Sequence, residues 1–226
     1  MASLLIFDLD ETMARGGAGV GFIKYAYESS YLSAQIYRDY MNSYDISLKG
    51  SDYYTMEDDI QIKGAIFKAL EGSPLGARGV ANEFVALHGE KFINPIIKEL
   101  ALRELKQTAG HLAIASGSPD YLLEAFGRVF PKGTKMIGAP WHSPGLDVGK
   151  LANLERAGIE LREVALTASD SINDLPLMKL GATNGRAWIV TRDQSDEALI
   201  RWGIKQNAET KNVYLVDHNS GRVSAI

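Results

Sequence analysis

Three times along this chain a short apolar run stops at a cluster of acidic or hydroxyl side chains. Ser3 to Phe7 ends at Asp8-Leu9-Asp10-Glu11-Thr12, His111 to Ala115 at Ser116-Gly117-Ser118, and Val164 to Ala168 at Ser169-Asp170. An apolar run of this length fits a strand buried on both faces, as in a parallel sheet. Helix-compatible stretches separate the runs. They are predicted over 95–105, 119–126, 150–157, after 173–176, and over 196–202, with further strands at 135–139, 187–190 and 213–216. Strand and helix in alternation predict a parallel α/β sheet. Sites in such sheets sit at the carboxyl ends of the strands, so parallel neighbours would gather the three polar clusters at one edge.

Residues 15–90 have a different pattern. Gly16-Gly17-Ala18-Gly19 breaks the chain, Phe22, Tyr25 and Ala26 fall at helical spacing, and 57–70 and 77–87 read as helices separated by Gly72-Ser73-Pro74. The expected organisation is a Rossmann-like α/β core of residues 1–14 and 91–226, with an α-helical cap domain inserted over 15–90. Gly16, Gly17 and Gly19 would serve as part of the cap's hinge or form a simple glycine-rich loop. Eight of the ten tyrosines lie between Tyr25 and Tyr54 and are expected to pack helices rather than form a ligand box.

Composition narrows the function. A chain of 226 residues with 46% hydrophobic and 23% charged residues suits a soluble globular protein with an adequate core. It has no cysteine, which excludes disulfides, thiolate zinc sites and a catalytic thiol. A net charge of −4 argues against a broad nucleic-acid-binding surface. No apolar run is long enough for a membrane span, and the first residues lack a signal-peptide pattern, so a cytoplasmic location is expected. His88, His111, His142 and His218 show no metal-ligand spacing and read as structural or surface residues, with Trp141-His142 near the end of the third strand.

The clusters themselves carry chemistry. Asp8 and Asp10 at a strand end can hold a hard cation such as Mg²⁺, or divide the roles of nucleophile and general acid/base. The alternative is a polar loop with two turn-forming aspartates. Ser116-Gly117-Ser118-Pro119 lets backbone and hydroxyl approach a phosphate, although Ser118 also suits a plain N-cap. Lys150, after Gly149 at a predicted helix start, could offset phosphate charge, or it could be an ordinary surface lysine. In Ser169-Asp170-Ser171-Ile172-Asn173-Asp174-Leu175-Pro176, Asp170 could complete a metal site. Asp174 is equally placed to cap the helix that Pro176 begins.

In this order the four clusters resemble the haloacid dehalogenase superfamily of phosphohydrolases, nearest to the branch that contains phosphoserine phosphatase. Asp8-Leu9-Asp10-Glu11-Thr12 matches its first motif, Ile114 to Pro119 the second, Lys150 the third, and Ser169 to Pro176 the fourth. The resemblance implies a Mg²⁺-dependent phosphatase acting on a small-molecule phosphate monoester, with Asp8 as nucleophile and Asp10 as acid and then base. It implies Mg²⁺ on Asp8, the Asp10 carbonyl and Asp170. Ser116, Gly117 and Lys150 would bind the phosphoryl group, Asn173 would orient phosphate or substrate, Thr12 would support Asp10, and Asp174 would orient Lys150 or a metal-bound water.

Two positions depart from the family pattern: Glu11 puts an acid beside the metal loop, and Ser169 stands where many members have glycine. Lys150 is preferred over Lys135, which lies inside a predicted strand. No acid occurs between Met13 and Val20, where phosphoserine phosphatases place the glutamate that receives the substrate amine, and this counts against phosphoserine. Arg15, Lys24 and Arg78 are candidate substrate contacts. The rival readings are a phosphotransferase using the same intermediate and a non-catalytic phosphate-ligand-binding regulatory protein; a dehalogenase would leave Asp10 and Asp170 unexplained.

Overall fold

The computed structural model describes residues 3–48, 56–141, 149–192 and 196–226. Seven strands form one sheet: β1 (Leu4–Asp8), β2 (His111–Pro119), β3 (Lys135–Ala139), β4 (Val164–Ser169), β5 (Arg186–Thr191), β6 (Val213–Asp217) and β7 (Val223–Ala225). The order is β3-β2-β1-β4-β5-β6-β7, parallel except for β7, which pairs antiparallel with β6.

Every residue of β1 is buried, as the unbroken apolar run from Leu4 to Phe7 requires of all but the last residue, Asp8. Alternate side chains enter opposite layers. Leu5 and Phe7 join the apolar cluster of Ile97 and Phe126, from α5 (Pro95–Thr108) and α6 (Asp120–Phe126). Leu4 and Ile6 pack with Leu154 and Leu177, from α7 (Lys150–Arg156) and α8 (Leu175–Asn184). Both faces are therefore covered, which places β1 in the middle of the sheet with β2 and β4 beside it. The ends of these three strands are the expected polar clusters, now adjacent.

The structure differs from the sequence reading at several elements. β2 runs through Ser116 to Pro119, with a register shift against β3 between Ala115 and Pro119. The helix after Asp196, α9 (Glu197–Thr210), continues past the predicted 202. Its polar last turns carry no apolar period, but Asn207 accepts from the Val213 amide (3.1 Å) and donates to the Ile226 carbonyl (2.8 Å). β7 is three residues long and largely exposed, and leaves no apolar signal.

Asp196 N-caps α9, accepting from the amides of Ala198 (2.9 Å) and Leu199 (3.1 Å), and its other oxygen accepts from the Ile172 amide (2.8 Å). Asp196→Ala is expected to cost about 1–2 kcal/mol, the usual worth of an N-cap. Thermal denaturation followed by circular dichroism should show a midpoint lower by a few degrees. An unchanged midpoint would contradict the capping role.

Between β1 and β2 lie α1 (Ala18–Glu28), α2 (Ala34–Leu48), α3 (Met56–Glu71) and α4 (Gly76–Phe92), a helical insertion into the α/β core. The outgoing and returning chains run side by side: Arg15 N–H donates to the Phe92 carbonyl and Asn94 N–H to the Met13 carbonyl, both at 2.8 Å. Phe84 of α4 packs against Phe22 of α1 (5.6 Å between rings) and Phe126 of α6 (6.3 Å). The apolar core is thus continuous from the insertion into the sheet layer. Among the described residues no helix is long and apolar enough to cross a membrane.

Candidate active site

The wide turn Leu9–Met13 follows β1 directly and sits under the first turn of α1. Asp8 ends β1 with 4% exposure, and its Oδ1 accepts from the Lys150 ammonium. Lys150 also donates to Asp174 Oδ2 (2.6 Å), which accepts in addition from the Ser169 hydroxyl (2.5 Å). Gly149 makes this placement of Lys150 possible, since φ of 87° at the residue before α7 is a backbone state that suits glycine. Burial pushes the Asp8 carboxyl well above the usual carboxylate range. The Lys150 charge opposes this, while the carboxylates of Asp174, Asp10 and Asp170 add to it. For Lys150, burial disfavours the ammonium, but Asp8 and Asp174 outweigh it and the affinity for the proton rises.

Asp10 is held from two sides. Its Oδ2 accepts from the hydroxyls of Ser116 (2.6 Å) and Ser118 (2.9 Å), and its Oδ1 from the Gly19 amide (3.2 Å). Gly19 permits this approach, because a Cβ there would lie 2.6 Å from Ser118 Oγ. Asp170, beyond β4, accepts at Oδ1 from the Thr12 hydroxyl (2.8 Å) and at Oδ2 from Arg192 (3.2 Å). Burial raises the Asp170 carboxyl, and the Thr12 hydroxyl and Arg192 pull it back.

The residues of the four expected motifs converge here, with some partners changed. The Thr12 hydroxyl binds Asp170 rather than Asp10, whose oxygens are taken by two serines and an amide. Ser116 turns its hydroxyl to Asp10 and accepts from the Ser118 amide (2.9 Å). Asp174 occupies the cap position of α8 without a side-chain capping bond and holds Lys150 instead. Gly117 and Asn173 line the cavity mouth, both exposed. Lys135 is exposed on the edge strand β3.

The cavity over these groups measures about 1130 Å³. Arg15 lines it, as proposed from sequence. Lys24 instead pairs with Glu28 (3.8 Å) on an exposed helix face, and Arg78 pairs with Glu124 of α6. Tyr40 and Tyr44, one turn apart on α2, also line the cavity, so these two do more than pack helices. Tyr53, Tyr54 and His142 lie outside the described residues. Trp141 lines the cavity while buried, its ring N–H donating to the Gly117 carbonyl (3.2 Å).

Arg192 is a wall residue that the sequence reading passed over, and His218, read there as structural or surface, also lines the cavity. Arg192 follows β5 as Asp170 follows β4, so the same strand-end rule would have singled it out. His218 is 5% exposed, just past β6, and burial lowers its proton affinity.

The model of the haloacid dehalogenase-like hydrolase family matches residues 5–179. The chain belongs to this family. As a haloacid dehalogenase-like hydrolase it shares its fold with several solved structures. A protein of unknown function from Bordetella pertussis Tohama I superposes with a TM-score of 0.67 at 16% identity, covering 96% of this chain and 100% of that one. A HAD family hydrolase from Salmonella enterica serovar Typhi gives 0.51 at 16% identity, covering 98% and 68%. Cytosolic 5'-nucleotidase IIIB bound to cytidine gives 0.56 at 12% identity, covering 96% and 81%. No curated protein matches the chain.

Proposed function

We propose that this hydrolase is a phosphatase acting on a small-molecule phosphate monoester through an aspartyl-phosphate on Asp8. The observation that carries the reading is the buried Asp8–Lys150–Asp174 chain beside an Asp10 anchored by three donors, all facing one cavity. In this reading residues 1–14 and 91–226 are the catalytic core and 15–90 the cap that selects the leaving group. A cavity of about 1130 Å³ has room for far more than a phosphate. The missing acid between Met13 and Val20 still points away from phosphoserine.

The donor set suits a hard cation. Among the described residues no three acidic or histidine side chains form a ready-made metal cage. Two carboxylates, Asp8 and Asp170, with the Asp10 carbonyl are the all-oxygen set that Mg²⁺ accepts while retaining waters. The mutual repulsion of the carboxylates around Asp8 leaves negative charge for a cation to offset. When bound, Mg²⁺ would offset the charge of the phosphoryl oxygens as it builds in the transition state.

The side chains divide the remaining work. Lys150 opposes the burial that favours the protonated form of Asp8, and faces the phosphoryl oxygens. An Asp8 oxygen attacks phosphorus, and the bond to the leaving oxygen breaks as that oxygen takes a proton from the Asp10 carboxyl. Asp10 then removes a proton from water, which attacks the same phosphorus and returns Asp8 as a carboxylate. Ser116, Ser118 and the Gly19 amide fix Asp10 for both transfers. Gly117 and Asn173 stand at the mouth, where the phosphoryl group enters.

Hydrolysis of a panel of aryl, sugar and nucleoside phosphates by the purified protein tests this reading. Release of inorganic phosphate with Mg²⁺, stopped by EDTA and restored by excess Mg²⁺, is expected. No release from any panel member, or release indifferent to EDTA, would contradict it.

A further inference from the structure

Arg192 joins two acids from different parts of the chain. Its guanidinium contacts Glu11 in the first-motif turn and Asp170 Oδ2 at 3.2 Å. The other Asp170 oxygen accepts from Thr12 (2.8 Å), so both oxygens of this proposed cation ligand are already engaged. Glu11 occupies a left-handed backbone state, φ 64° and ψ −12°, which non-glycine residues seldom adopt. Its amide makes a long bond to the Gly16 carbonyl (3.3 Å), while its carboxylate holds Arg192. The side chains are only partly shielded, Arg192 being 28% and Glu11 33% exposed, and one guanidinium nitrogen contacts both acids at once.

A guanidinium and a divalent cation at the same carboxylate compete for its negative charge, and they repel one another. We propose that Arg192 is an internal competitor for the divalent cation at Asp170, with Glu11 as the second carboxylate that retains the guanidinium when the cation displaces it from Asp170. The proposal rests on the reading of Asp170 as a cation ligand. It gives Glu11 a purpose: the acid beside the metal loop keeps Arg192 once Asp170 takes the cation. Metal affinity of the free protein is then set by the competition between an arginine and the cation, and not by the oxygen donors alone.

Mn²⁺ serves as the probe, with free ion counted by electron paramagnetic resonance at fixed ionic strength and without substrate. Arg192→Gln is expected to bind Mn²⁺ about tenfold more tightly, a usual size for changes beside a metal ligand. Removing a positive charge would also raise affinity through the general field, so the deciding protein is the Glu11→Gln/Arg192→Gln double variant, whose formal charge equals the parent's. Competition predicts that it binds Mn²⁺ more tightly than the parent. Affinity equal to or below the parent's, while Asp170→Asn loses binding, would overturn the proposal and leave the metal-site reading intact. Unchanged binding in Asp170→Asn would overturn that reading, and the proposal with it.

Discussion

Asp8→Asn should reduce phosphatase turnover by at least about a thousandfold, because the chemical step would lose its proposed nucleophile. Asparagine keeps the volume and one carbonyl oxygen of aspartate but has no anionic oxygen to attack phosphorus. The loss should not come from unfolding. The Asp8 carboxylate is buried at 4% exposure among three other acids, and burial raises its folded-state proton affinity above the unfolded value. A carboxyl shifted this way favours the folded state when neutral, and that contribution disappears as pH rises through its folded value. The neutral amide therefore relieves a cost present at neutral pH, while Lys150 keeps Asp174 as partner. In EDTA the variant should melt no lower than the parent. Lost activity with a clearly lowered midpoint would make Asp8 a structural residue, and retained activity would remove it from the mechanism.

Lys150→Met carries the second large effect, and here stability and activity should fall together. Methionine keeps the apolar stem but removes the one ammonium that Asp8 and Asp174 share. Breaking a buried ion pair from one side costs about 3–5 kcal/mol, since the charges left behind have no partner. Urea denaturation at neutral pH should show this loss. The turnover of the folded fraction should drop by about 10²–10³, the cost of removing a group that stabilises developing anionic charge. Lys150→Met/Asp174→Asn should recover part of the stability, because one unpaired carboxylate is gone, and none of the activity. A double variant no more stable than the single would mean that the Lys150–Asp174 contact contributes little to the fold.

Much of this architecture was legible because a strand buried on both faces cannot hide its apolar run. β1, β3 and β4 start and stop within a residue of their predicted bounds, and the polar side chains that end β1, β2 and β4 form one edge. Asp8, Asp10, Ser116, Lys150, Asp170 and Asp174 meet there as expected. Short exposed elements left no such trace, and β7 went unseen for that reason. Hydrogen-bond partners were harder still: Thr12 is two residues from Asp10, yet its hydroxyl reaches Asp170 across the β1–β4 pair. The bridge from Arg192 to Glu11 depends on β5 lying next to β4, which no local pattern announces. Tyr40 and Tyr44 share one helix face, but only the packing of α2 against α1 makes that face a cavity wall.

The central claim is that Asp8 carries the phosphoryl group during turnover. Acid quenching of the protein during steady-state hydrolysis, followed by peptide mass spectrometry, tests it directly. The account predicts a gain of one phosphoryl mass on the peptide containing Asp8, removed by hydroxylamine and absent from Asp8→Asn. Steady turnover with no phosphorylated peptide at any quench time, or with the phosphoryl group on another residue, would contradict it.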